Sequence, residues 1–274
     1  MIGLAVAFIW FVAWIILSPA LKYHSIWYKI KAKIIFIAGD IRAHGGPLWG
    51  TTEPVDAFMV DQKDARRADK LTRPGDIGLH RYVWTFSNYG IPGAFKHAWI
   101  IVDNEDCVEA TSDGVERRDR WFPMLCDYAV ILRPKDVTDE DVAMAIKRAK
   151  AIVGCEYDAN FKFDLEAAND EIVVREQSQY TKNISAGGFH PAFSCTETVG
   201  FSWFHRRDKL RLFRTNYAGR DAIIADDFLK MNFDVVWASP NLTEEWMKLV
   251  GLHEEGRSKI SEWLRKNPAN DGQD

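Results

Sequence analysis

Cysteine is scarce in this sequence. Four occur in 274 residues, Cys107, Cys126, Cys155 and Cys195, and they stand 19, 29 and 40 positions apart. No C-x-x-C pair is present, which excludes a zinc knuckle and a dense disulfide framework and leaves each thiol to be judged alone. An excess of positive charge is also lacking. Lys and Arg number 35 against 39 Asp and Glu, a net charge of −4, so the chain has no global basic field of the kind nucleic-acid partners need. There is no internal repeat. His97, Glu109 and Cys195 lack any paired-ligand spacing, so neither a metal nor another cofactor is expected. Apolar residues are abundant at 47% of the chain, enough to bury a full core in one or two domains.

Residues 2–21, IGLAVAFIWFVAWIILSPAL, carry no charge. A helix of that length covers about 30 Å, one hydrocarbon core, which predicts a single-pass membrane anchor over residues 1–21. Ser18 and Ala20 resemble the small residues of a signal cleavage site, but no Lys or Arg precedes the apolar run as a cleaved signal requires. Lys22, Lys29, Lys31 and Lys33 crowd its C-terminal flank, and by the positive-inside rule they place the body in the cytoplasm, with Met1 outside. Residues 22–72 then read as a juxtamembrane helix, lying in the interface over residues 23–37, followed by a Gly-, Pro- and charge-rich connector.

From residue 73 the pattern tightens. Pro74 and Gly75 make a turn before Ile77 and Leu79; "HAWIIVD" (97–103), "CVEAT" (107–111) and "YAVILRP" (128–134) add further strands, the last stopped by Pro134. Together they predict an antiparallel sheet. Thr138 then heads a helix with Asp141 as its capping-box partner, a stripe of Val142, Ala145, Ile146, Ala149 and Val153, and Gly154 as its stop. A polar connector over residues 166–186 leads to "GGFHPAFSCTETVGF" (187–201). Helical patterns follow around residues 223–231, 243–250 and 258–266, and the tail NPANDGQD is expected to be disordered. The expectation is an α+β body over residues 73–238, with C-terminal helices and a tail over 239–274.

Cys195 falls where a helix begins. The free N–H groups and partial positive charge of a helix start favour thiolate over thiol and offer donors for an oxyanion. A base is also required. His97 opens a strand at the edge of an apolar run, and alternation puts His97, Trp99 and Ile101 on one face. Glu109 lies twelve residues on. A two-residue turn between the strands sends it to the wrong face, whereas a three-residue turn such as 103–105 places it opposite Trp99 and diagonal to His97, where it orients the imidazole.

The stretches RPGDIGLHR, KHAWIIV, VEATSDGV, GCEYDANF and FSCTETV resemble, in order and spacing, the permuted NlpC/P60 papain-like cysteine hydrolases, in particular the YiiX-like group that is also similar to lecithin:retinol acyltransferase. The resemblance spans residues 74–237, about 60% of the chain. It implies a circularly permuted papain-like fold with Cys195 as nucleophile, His97 as general base and acid, and Glu109 as the polar third member. The position after the cysteine departs from the family pattern, with Thr196 in place of Ser before Glu197. The family also implies an amide or peptide bond of cell-wall type as substrate, whereas a membrane-tethered body facing the cytoplasm more easily reaches a lipid amide or ester. Retention of the fold without turnover, as a membrane-tethered binding protein, is the reading from another class.

Around this set, Trp99 is expected to narrow the cleft, and Asp158 of the Tyr-Asp element either meets substrate or fixes the loop over the sheet. His190 is an alternative base or, in its Gly/Pro loop, a substrate-loop residue. His80, in the first strand, reads as structural or partly exposed. Cys107, Cys126 and Cys155 read as core.

Overall fold

The computed structural model describes residues 26–40, 42–43, 50–51, 60–82, 85, 91–158, 192–217 and 220–268. Helices α1 (Ile26–Asp40) and α2 (Gln62–Leu71) come first. They are followed by strands β1 (Ile77–Arg81), β2 (His97–Ile101), β3 (Asp106–Thr111), β4 (Gly114–Asp119) and β5 (Tyr128–Pro134), then helix α3 (Asp139–Ala151). Short strands β6 (Glu156–Tyr157) and β7 (Ala192–Phe193) precede α4 (Cys195–Trp203), and β8 (Phe233–Ala238), α5 (Glu244–Leu249) and α6 (Glu254–Lys266) complete the order. Six strands form one antiparallel sheet, β8-β5-β1-β2-β3-β4, and β6 pairs with β7 in parallel. The class is therefore α+β, an antiparallel sheet packed against helices.

Alternation along the strands divides the interior in two. Leu79, Ala98, Ile100, Val108 and Val130 face a large core shared with Ala145 and Ala149 of α3 and with Val199, Phe201 and Trp203 of α4. Trp99, Ile101, Cys107 and Ile131 face a smaller core on the other side, closed by Ala68 of α2, Met124 and Trp237. Met247, Leu252 and Ile260 add the C-terminal helices to the larger core. Entry to β1 is pinned by a bidentate pair, with Arg133 Nε and Nη2 donating to Asp76 Oδ1 and Oδ2 at 2.8 and 2.7 Å. Gly75 makes the tight turn before it at φ +92, a conformation other residues rarely adopt.

Helix α3 follows its sequence signals: Thr138 caps it, and its capping box with Asp141 is complete. Gly154 ends the turn at φ +91, while Val153, expected on the apolar stripe, lies past the helix end and is exposed. Three elements depart from expectation. The connector contains α2, capped by Asp61, a charged helix with Ala68 as its buried residue and hence no apolar stripe to read. Strand β4 buries only Gly114 and Val115, and its charged remainder suits a sheet edge. The pattern at 223–231 is the short 3-10 turn Ala225–Leu229, and β8 follows it with a register shift between Val235 and Trp237 that breaks its alternation.

The helix expected over residues 23–37 is α1. Ala32 is buried in the larger core, and Lys29 and Lys33 pair with Glu156 and Asp113, each at 3.1 Å. Among the described residues no helix is long and apolar enough to cross a membrane. The expected anchor over residues 1–21 and residues 269–274 of the tail expected to be disordered lie outside the described residues; of that tail, Asn267 N–H donates to Trp263 O at 3.0 Å and Pro268 O accepts from Arg67 Nη2 at 3.2 Å.

Candidate active site

Parallel pairing of Tyr157 with Phe193 fixes the approach to α4. Ser194 then caps the helix: its hydroxyl accepts from Glu197 N–H, and Glu197 Oε2 accepts from Ser194 N–H at 2.8 Å. This box stops the chain from sliding along the helix axis, so Cys195 is held as the first helical residue, where backbone donors are free.

The imidazole comes from the start of β2 and the carboxylate from β3. Val102 and Asp103 N–H both bond Asp106 O, closing a three-residue turn over 103–105, and the register sets Trp99 opposite Glu109. This is the turn length that brings Glu109 diagonal to His97. His97 Nε2 donates to Glu109 Oε2 at 2.7 Å, which leaves Nδ1 for the Cys195 sulfur, whose charge acts on the ring. The structure thus gathers Cys195, His97 and Glu109 from three elements.

Electrostatics follow from that packing. Burial works to discharge the His97 ring, but the Cys195 sulfur and the Glu109 carboxylate outweigh it and raise the ring to about 10. Burial likewise opposes the Cys195 thiolate. The charge and hydrogen bond of His97, with bonds from the Ala98 and Thr196 backbone, prevail and lower the thiol below its ordinary value. Both shifts favour the thiolate–imidazolium form of the pair. Cys107 behaves in the opposite way, since burial and the charges of Glu109, Asp106 and Asp119 push it far up and leave it inert.

Four surrounding groups escaped the sequence reading or acquired a role there. His80 is the cross-strand neighbour of His97; the rings stack with centroids 4.7 Å apart, and His80 Nδ1 donates to Pro123 O at 2.8 Å. Arg118, on the unforeseen β4, places Nε 3.4 Å from Glu109 Oε1. Glu197 is pushed up to about 8 by burial and by the charge of Asp158, against the Ser194 donors. Asp226 binds the segment that enters β2. Of these, the S-x-x-E cap of Glu197 was visible as spacing; the rest depend on strand pairing or on contacts far apart in sequence.

Two of the expected substrate contacts need correction. Trp99 is fully buried in the smaller core, its indole lying where Gly78 leaves room, so it does not narrow a cleft. Asp158 is also fully buried, its N–H on Phe193 O at 3.1 Å and its charge acting on Glu197, so it has no surface to offer a substrate and ties the chain after β6 to β7. His190 lies outside the described residues. Among the described residues no cluster of His, Cys, Asp and Glu is placed to hold a metal ion. Compared with family models, curated proteins and solved structures, the chain matches none.

Proposed function

We propose that the chain is a membrane-anchored cysteine hydrolase of the permuted papain-like kind, cleaving an amide or peptide bond without a cofactor. One observation carries the reading: the Cys195 sulfur sits at a helix start against His97, whose far nitrogen is held by Glu109 at 2.7 Å. The Cys195 thiolate attacks the carbonyl carbon, and backbone N–H groups near the sulfur stabilise the oxyanion. His97 gives its Nδ1 proton to the leaving amine as the C–N bond breaks, leaving an acyl-enzyme. Water then attacks the thioester while His97 takes its proton, the C–S bond breaks, and the acid leaves with the thiolate–imidazolium pair restored. Glu109 keeps the ring oriented through both halves and stabilises its charged form whenever it holds the second proton.

A second reading is favoured by Phe122 and Leu125, each 50% exposed on the turn whose Pro123 carbonyl holds His80 beside His97. Exposed apolar side chains on that turn suit an acyl lipid, and a lipid acyl hydrolase or acyltransferase at the membrane surface uses the same thioester chemistry.

Iodoacetamide labelling of the full chain at neutral pH tests the enzyme. Selective modification of Cys195 that is lost in His97→Ala supports it; a Cys195 no faster than Cys107 or Cys155 leaves a membrane-tethered binding protein. Protease accessibility of the C-terminus in sealed vesicles separates the substrates. A body outside the cytoplasm admits a cell-wall peptide, and a body inside, as the flanking lysines suggest, favours the lipid.

A further inference from the structure

His97 and Cys195 belong to different elements, so their contact depends on how the chain enters β2. That entry, residues 91–96, is bound on both sides. Ala94 N–H donates to Asp226 Oδ2 at 2.6 Å and Phe95 N–H to Asp226 Oδ1 at 2.8 Å. Arg81 donates to Ala94 O at 2.7 Å, Lys96 Nζ donates to Gly93 O at 2.6 Å and to Ile91 O, and Lys96 N–H reaches His80 O at 2.9 Å. The Lys96 carbonyl lies 4.0 Å from the Cys195 sulfur.

Asp226 comes from the 3-10 turn Ala225–Leu229, remote in sequence from every residue of the site. It is 3% exposed, and its own carbonyl accepts from His253 Nε2 at 3.0 Å. Ala94 and Phe95 are fully buried, so without the carboxylate two adjacent N–H groups stand in the core with no acceptor. Only an ionised carboxylate offers an acceptor oxygen to each of them; the amide of Asn offers one. Residue 93 is built around the same group. Gly93 has φ +97, and a Cβ there would lie 2.8 Å from Asp226 Oδ2, so a side chain at 93 displaces the carboxylate.

We propose that Asp226 is the positioning residue that sets His97 against Cys195, through its paired bonds to the backbone two and three residues before the imidazole. This rests on the hydrolase reading above. A shift of the entry segment by even about 1 Å separates ring from sulfur and costs the thiolate–imidazolium pair, on the scale by which misplaced groups lose rate.

The test is the rate of Cys195 alkylation by iodoacetamide in the full chain, followed by peptide mass between pH 5 and 10, with thermal melting in parallel. The wild type keeps fast alkylation at pH 6. Asp226→Asn loses about ten-fold there and its profile moves toward that of an ordinary thiol. Gly93→Ala, which leaves Asp226 present but crowded, shifts the profile the same way and serves if Asp226→Asn does not fold. A profile in the folded variant, or in Gly93→Ala, that superimposes on the wild type while melting drops makes Asp226 a packing residue and overturns the proposal. A wild-type Cys195 that titrates as an ordinary thiol instead removes the hydrolase reading, and this inference with it.

Discussion

His97 Nε2 and Glu109 Oε2 stand 2.7 Å apart across neighbouring strands, with the carboxylate side chain 4% exposed and the imidazole 14%. A charge-assisted hydrogen bond in that setting is strong, and its loss is felt by the sulfur on the other side of the ring. The first prediction follows from it. Glu109→Gln keeps the shape and removes the charge, so His97 holds its proton less firmly. Turnover is expected to fall by about 10²–10⁴-fold, the range of a lost acid–base arrangement. Measured by alkylation, Cys195 in this variant needs a higher pH to react; an unchanged profile assigns Glu109 to packing alone.

The pair also makes a prediction about stability and pH. His97 is raised to about 10, so its contribution is full below the unfolded imidazole value of about 6.5 and is lost as pH rises to 10. Cys195 is lowered, so its contribution is full above the unfolded thiol value of about 8.5 and is lost as pH falls. Between those two unfolded values one proton has only moved from sulfur to ring, and the net dependence is flat. Urea unfolding of the wild type against a Cys195→Ser/His97→Gln double variant should therefore show a constant stability difference from pH 7 to 8 that shrinks toward pH 10 and toward pH 5. A difference that grows steadily across this range contradicts the ion pair.

His80 behaves in the reverse sense. Burial and the charge of His97 hold it well below its ordinary value, so it is a neutral donor to Pro123 O. A depressed folded value means stability present above about pH 6.5 and lost as pH falls, because the unfolded ring takes up a proton that the folded one refuses. His80→Gln keeps a donor for the carbonyl without titrating. Its thermal midpoint should drop less between pH 7 and pH 5 than that of the wild type, and equal drops count against a neutral His80.

Gly78 bears on the packing beneath the site. Its missing Cβ would meet the Trp99 indole, which is fully buried. Gly78→Ala should cost about 1–3 kcal/mol of stability, as overpacking a full core does, and urea unfolding reads this directly. A neutral substitution would mean that the indole has room to turn.

Much of the site was legible because it depends on short-range periods. Alternation along residues 97–101 and the length of one turn decide whether Glu109 meets His97, and the helical spacing of Val199 and Trp203 places Cys195 at the start of a helix. Trp99 was misread because alternation tells which residues share a face but not what covers that face; α2 and the segment around Met124 do so, and they were read as connector or not read at all. β4 and β8 stayed hidden for a related reason, one an edge strand of charges and the other interrupted by a register shift.

By itself, then, the order of residues determined the strands β1, β2, β3 and β5, the capped helix α3 and the helical seat of the thiol, since each is a bargain between neighbours along the chain. Only the tertiary structure decided that His80 stacks on the imidazole, that Arg118 from the sheet edge reaches the Glu109 carboxylate, and that Asp226 binds the backbone leading into β2. The first two contacts cross between neighbouring strands and the last joins residues 132 positions apart, and no local period encodes a distance that is set by the closure of the whole core.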